Sequence, residues 1–162
     1  MTKIPGAEEI VKKLSEKFNG KVRDIREDRH VHGKKKTSNL SYWITIDRSV
    51  FKDAVKEICD INYPFLSVIS GRDAGEDIEL IYHLYVNFGG KLQEQGINLC
   101  VFLPKSNPVL PTITDLIPGA ILSEQEKQEM LGVDIQGIDN ERAFLPENHP
   151  KGNYPWRKDK NA

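Results

Sequence analysis

His30-Val31-His32 sets two imidazoles on one side of an extended segment, where they could hold a metal ion between them. No third ligand follows at a useful spacing, and Lys34-Lys35-Lys36 next door would repel a cation, so a solvated loop is expected. The same three lysines could serve an anionic partner, against the plainer reading of a soluble surface. Gly89-Gly90-Lys91 lacks both the upstream glycine and the following Ser or Thr of a phosphate loop, and reads as a hairpin turn. No G-x-G-x-x-G occurs, so a dinucleotide fold has no support. Cys59 and Cys100 are too few for a zinc or iron–sulfur site, and two buried thiols in a reducing cytoplasm are expected.

Two groups of titratable residues remain. Glu79, His83 and Tyr85 alternate with apolar residues and so share one face of a strand. They could supply acid–base chemistry to a free-standing enzyme, or form a sheet surface that is half exposed or covered by a partner. Glu124, Glu126 and Glu129 are the densest acidic group and could be catalytic carboxylates. The stronger reading is acids favoured early in a helix by its dipole and unpaired N–H groups, since no histidine, cysteine or serine accompanies them. Arg157-Lys158-Asp159 supplies charges suited to bridging an interface.

The elements that must position these residues follow from pattern. Pro5, then Ala7, Ile10, Val11, Leu14 and Phe18, predict a helix opened by proline and closed at Asn19-Gly20. Lys21–Glu27 and Tyr42–Ile46 read as strands, with His30–Ser38 an exposed loop between them. Asp47 or Ser49 caps a helix buried through Val50, Phe51, Ala54, Val55, Ile58 and Ile61, which Pro64 stops. Phe65–Ser70 is a short strand. Ile78–Phe88 and Ile97–Leu103 carry the period-two alternation of half-buried strands. Ser123–Glu126 reads as a capping box for a short helix that ends at Gly132. The fold class is α+β: a single domain with a mostly antiparallel or mixed sheet packed by helices.

The last third differs. Seven of the 9 prolines lie from Pro104 onward, and beyond about Asn140 the chain is too polar to bury itself. Residues 1–140 are therefore read as the domain and 141–162 as an extended tail, with Tyr154, Pro155 and Trp156 as interface anchors. With 162 residues, 29% charged, and a net charge of −1, no overall field draws in nucleic acid. No apolar run approaches the roughly 18 residues of a membrane span. The N-terminus, Met1-Thr2-Lys3-Ile4-Pro5-Gly6, has no apolar core, and no signal peptide is expected.

From Asn107 on, the chain resembles a known family, the 30-kDa or C subunit of respiratory complex I, together with the corresponding small subunit of membrane-bound, energy-converting [NiFe] hydrogenases. The resemblance runs through Asn107-Pro108-Val109-Leu110-Pro111-Thr112-Ile113-Thr114-Asp115-Leu116-Ile117-Pro118, then the Glu124–Val133 stretch, Arg142–Glu147 and Tyr154–Asp159. The family pattern E-R-E-x-x-D-M-F-G-I is met with Gln125 for its arginine, Glu129 for its aspartate and Leu131 for its phenylalanine. The Pro150–Pro155 spacing before Arg157 looks closer to the hydrogenase-associated branch.

The resemblance implies a non-catalytic subunit in the peripheral arm of a membrane-bound electron-transfer complex, most like an energy-converting hydrogenase that couples electron transfer to ion translocation. The alternative is the C subunit of a NADH/quinone oxidoreductase or of another related respiratory complex. Either way it implies that this chain binds no cofactor, while iron–sulfur clusters and a nickel–iron centre reside in partners. The implied partners are a hydrogenase-like large subunit and an iron–sulfur small subunit. The implied place is the cytoplasmic face of the membrane, reached only through the complex. The partner surface is expected at Glu124, Glu126, Glu129, Arg142, Tyr154, Trp156, Arg157, Lys158 and Asp159, with no catalytic or metal residues.

Overall fold

The computed structural model describes residues 4–32, 37–89, 94–138 and 142–159. Helix α1, Ala7–Lys17, forms where Ala7, Ile10, Val11 and Leu14 recur at helical spacing, and those four are its buried residues. Its N-cap is Gly6 rather than Pro5, which stays outside the helix. Gly20 reverses the chain at φ 75°, in the left-handed region that glycine enters without strain.

Strands β1 (Val22–His32) and β2 (Thr37–Ile46) follow as an antiparallel pair, both longer than the sequence suggests. His30, Val31 and His32 pair with Asn39, Ser38 and Thr37, so most of the expected loop is ladder. Those pairs satisfy backbone groups that a polar loop would have left to water, and that outweighs the charge-rich composition. Residues 33–36 lie outside the described residues, and with them the Lys34–Lys36 reading. So do Gly90 and Lys91 of the expected turn, the side chains of His30 and His32, and the residues about the expected 140/141 boundary.

After β2 the Asp47 carboxylate accepts from Ser49 N at 2.9 Å and Ser49 Oγ at 2.6 Å, capping a 3-10 turn at Arg48–Val50 that runs into α2, Phe51–Ile61. Three strands follow: β3 (Phe65–Asp73), β4 (Asp77–Val86) and β5 (Gln95–Pro104). The sheet order is β1-β2-β5-β4-β3. All neighbours are antiparallel except β2 and β5, so the sheet is mixed.

The alternation in β4 and β5 works as its period requires. Ile78, Leu80, Tyr82, Leu84 and Val86 face the helices with Ile97, Leu99, Val101 and Leu103, all fully buried. Helix α1 packs on β2, β5 and α2, while α2 sets Phe51 against the Tyr82 ring, 4.7 Å between centroids. Each such aliphatic or aromatic side chain contributes about 1.5–3 kcal/mol by leaving water. This α+β core is the scaffold on which the C-terminal third is mounted.

That third begins with β6, Val109–Pro111, which pairs in parallel with β7, Asp134–Gln136. Between them a 3-10 turn at Pro118–Ala120 leads into α3, Ile121–Leu131. The helix thus starts before the expected capping box, and Ser123 lies inside it. Proline at the first position of the 3-10 turn already sets a helical φ, so the chain is wound before reaching Ser123. The C-terminal expectation holds: Gly132 is the C-cap, at φ 68°.

Candidate partner-docking site

Four stretches after Asn107 converge on α3, and two glutamates do most of the joining. Glu124 is fully buried. Its Oε1 accepts from Ile113 N at 3.1 Å and from the Tyr82 hydroxyl at 3.3 Å, while its Oε2 accepts from the Thr112 hydroxyl. One carboxyl therefore ties α3 to the Pro111–Thr114 segment and to the centre of the sheet. Burial pushes this acid above its ordinary value, against the opposing pull of the three donors, and burial likewise pushes the Tyr82 phenol up. Expected at a partner surface, Glu124 instead has no surface to offer. Of the three acids that the dipole argument set early in the helix, only Glu124 lies in the first turn of α3, Glu129 lies in the last, and the argument could not say which one turns inward.

Glu129 lies one turn further on and reaches the other way. Its two oxygens accept from the N–H groups of Ala143 (2.6 Å), Phe144 (3.1 Å) and Leu145 (2.6 Å). Three successive N–H groups around one carboxylate form a concave anion cradle, here filled by a side chain of the same molecule. Burial alone would raise this carboxyl, but the backbone donors and nearby Arg142 bring it below its ordinary value. Arg142 donates in turn to the carbonyls of Pro146 at 2.7 Å and His149 at 3.2 Å, closing the turn on itself.

The chain then passes over the end of α3. Trp156 N donates to Met130 O at 3.0 Å, and Arg157 Nε donates to Leu131 O at 2.7 Å. Those carbonyls belong to the last turn of α3, which a helix cannot satisfy itself. Tyr154 lies against Gly132 so closely that any Cβ there would collide with its ring. Glycine is thus required twice, for its positive φ and for this approach. Lys127, buried on α3, pairs with Glu126 and sits 5.0 Å from the Trp156 ring centroid. Finally Asp73, at the end of β3, accepts from Lys158 N at 2.8 Å and Lys105 Nζ at 2.7 Å, and Lys105 also reaches Asp159 at 2.9 Å. The Lys105 ammonium, with the N–H groups of Lys158 and Gly75, holds Asp73 far below the usual carboxylate range.

The expected surface residues are therefore brought together, but largely by contacts within this chain. Outward-facing groups remain: Phe144 is 46% exposed and Trp156 43% exposed, each positioned by the bonds just described. Sequence reading missed Thr112, Asp73, Lys105 and Lys127. Thr112 and Lys127 lie within or beside the quoted motifs. Asp73 and Lys105 carry no local signal, since sheet topology alone brings them to the tail.

The strand carrying His83 offers less chemistry. His83, Glu79 and Tyr85 share the face away from the helices. The His83 ring nitrogens are bonded to Asn98 Oδ1 (2.7 Å) and Ser70 Oγ (2.9 Å), while Glu79 pairs with Arg72. Both ring nitrogens are thus engaged by neighbouring side chains of the sheet. Burial, reinforced by the Glu79 charge, pushes the Cys100 thiol up to about 11, so it stays protonated and unreactive. Among the described residues no three His, Cys, Asp or Glu side chains gather as a metal-binding group, and no helix is long and apolar enough to cross a membrane.

An α+β domain whose C-terminal motifs are wound around one short helix defines the class. The family model of the respiratory-chain NADH dehydrogenase 30-kDa subunit matches residues 44–162. The chain belongs to that family, and the match begins well upstream of Asn107, taking in the last three residues of β2 and the whole of β3, β4 and β5. The membrane-bound hydrogenase subunit beta of Pyrococcus furiosus is 31% identical over 158 residues, 94% of this chain and 85% of that protein. The NADH-quinone oxidoreductase subunit 5 of Thermus thermophilus is 29% identical over 126 residues, 72% of this chain and 60% of that protein. The fold is shared with a chain in the structure of the membrane-bound sulfane sulfur reductase, an archaeal respiratory membrane complex. That chain has a TM-score of 0.65 at 24% identity, over 95% of this chain and 85% of that one. A trypsin-resistant fragment of Nqo5 shares the fold at a TM-score of 0.58 and 22% identity, over 80% of this chain and 95% of the fragment.

Proposed function

We propose that this chain is a non-catalytic subunit of the peripheral arm of a membrane-bound electron-transfer complex, of the energy-converting [NiFe] hydrogenase kind. The observation that carries this reading is the likeness to the Pyrococcus hydrogenase subunit beta along nearly the whole of both chains. The role is geometric. The sheet and α3 form a rigid mount, and the tail presents Phe144 and Trp156 as anchors on neighbouring subunits. A hydrogenase-like large subunit and a cluster-bearing small subunit are the partners so held. The iron–sulfur clusters and the nickel–iron centre belong to those partners, and the membrane is met only through them, on its cytoplasmic face.

A second reading, as the C subunit of a NADH/quinone oxidoreductase, is favoured by the Thermus relative and by the family description. Tagging the chain at its N-terminus, solubilising native membranes gently and identifying what co-purifies separates the two. Nickel together with a cluster-bearing small subunit is the expected result. A flavin-bearing NADH module, or a large subunit without nickel, would support the second reading. A solitary chain would defeat both.

A further inference from the structure

A tight turn in the tail holds one lysine out at its corner. Asn153 N donates to Pro150 O at 3.3 Å, and Gly152 takes φ 80°, which glycine enters without strain. Lys151, between them, is exposed, and among the described residues it forms no ion pair. Lys151 and Arg157 line one cavity of about 480 Å³, together with Pro150, Tyr154 and Pro155.

Arg157 is already clamped on the far side of its guanidinium. Its side chain is 13% exposed, Nε donates to Leu131 O at 2.7 Å, and the guanidinium carbon lies 5.0 Å from the Tyr154 ring centroid. Nη2 reaches Gly132 O at 3.5 Å. Nη1 has no hydrogen bond among the described residues: the Asp159 carboxylate stands 3.8 Å away, beyond bonding reach. Asp159 is drawn off by Lys105 at 2.9 Å, which also pairs with Asp73. Glu129, on the other side of the turn, is spent on three N–H groups. The cavity therefore presents a fixed guanidinium and an unpaired ammonium, and its one carboxylate is shared with a third cation.

We infer that this cavity receives an aspartate or glutamate side chain from a loop of a neighbouring subunit, held between Arg157 Nη1 and the Lys151 ammonium. The inference rests on the reading of this chain as part of an assembly, and gives the chemistry of the surface its tail meets. Charge complementarity names the occupant. A guanidinium with an ammonium beside it grips a carboxylate by charge-assisted hydrogen bonds, and because Arg157 is held in place beforehand, little order is lost on binding. Size argues for a side chain with its backbone over a lone inorganic ion: the cavity is many times the roughly 30 Å³ that one water occupies. Its proline and tyrosine walls suit the apolar stem of such a side chain. Exposed Trp156 lies between Pro155 and Arg157 in the chain, so a subunit resting on that anchor meets the cavity as well.

A zero-length carbodiimide joins an ammonium to a carboxylate only where the two touch, and so reads this contact in the complex recovered through the tag. Mass spectrometry should then find Lys151 joined to an aspartate or glutamate of another subunit. Lys151→Glu should lower recovery of the complex by about tenfold or more, while Lys151→Arg should retain recovery and abolish the link. The site is exposed, so both isolated variants should melt within about 2 °C of the wild type. No link to another subunit, a link only to this chain's own Glu147 or Asp159, or normal recovery of Lys151→Glu would overturn the inference while leaving the assembly reading intact. A link between isotopically distinct copies of the isolated chain would overturn it in favour of self-association. Saturable binding of inorganic phosphate by the isolated chain, abolished in Lys151→Glu, would overturn it in favour of a small anion. A wild-type chain that recovers no assembly would defeat both.

Discussion

Glu124→Ala is expected to lower unfolding stability by about 3 kcal/mol or more, since three buried donors lose their acceptor at about 1–3 kcal/mol each. For a chain of this size that is a fall of roughly 6–12 °C in melting temperature. The donors are Ile113 N–H and the hydroxyls of Thr112 and Tyr82, from the segment before α3 and from the middle of the sheet. Glu124→Gln should behave differently. Its carbonyl oxygen keeps an acceptor in place, and its amide can donate to the Thr112 hydroxyl.

The pH dependence gives a second reading of the same site. Burial raises the Glu124 carboxyl above its ordinary value of 4.5, so its stabilising contribution is complete below that value and lost as pH rises through the raised one. Glutamine does not ionise. Relative to wild type, Glu124→Gln should therefore gain stability between about pH 4 and about pH 8, measured by urea unfolding at both. Equal pH profiles for the two proteins would mean that the carboxyl is not buried as described.

Glu129→Ala should leave the domain folded and free the tail. The carboxylate holds Ala143, Phe144 and Leu145 by their N–H groups, and no part of the sheet core depends on it. Trypsin should then cut after Arg142 and Lys151 about tenfold faster or more, because local opening there no longer has to break those bonds. Gly132→Ala should produce the same release by another route, since its Cβ would displace the Tyr154 ring. Acid should mimic the first variant. The Glu129 carboxyl lies below its ordinary value, so its hold is present above that value and lost as pH falls through the lowered one. Unchanged cleavage in both variants would show that the tail is held by something other than α3.

The sheet was legible where alternation was clean. In β4 and β5, Ile78–Val86 and Ile97–Leu103 bury one face because side chains alternate with period two, and the sequence showed that directly. The ends of β1 and β2 were not legible. His30–His32 is polar, and only pairing with Thr37–Asn39 makes it a strand. The short parallel pair β6–β7 was hidden for a related reason: three residues show no period, and one of them is Pro111.

The same limit applies to the site. Acidic residues at helical spacing and aromatics near the terminus could be picked out. That Glu124 turns inward toward Thr112 while Glu129 turns outward toward Ala143 depends on what the fold sets beside each. Asp73 shows it most plainly, lying far in sequence from the Lys158 N–H that it accepts.

The central claim is that α3, fastened by Glu124 and Glu129, mounts the C-terminal motifs as one unit in a membrane-bound complex. A cryo-electron microscopy map of the complex purified through this chain tests it most directly. The account expects residues 142–159 over α3, Tyr154 on Gly132, and a neighbouring subunit resting on Phe144 and Trp156. A map in which the tail leaves α3, or in which Phe144 and Trp156 face solvent with no neighbour near, would contradict it.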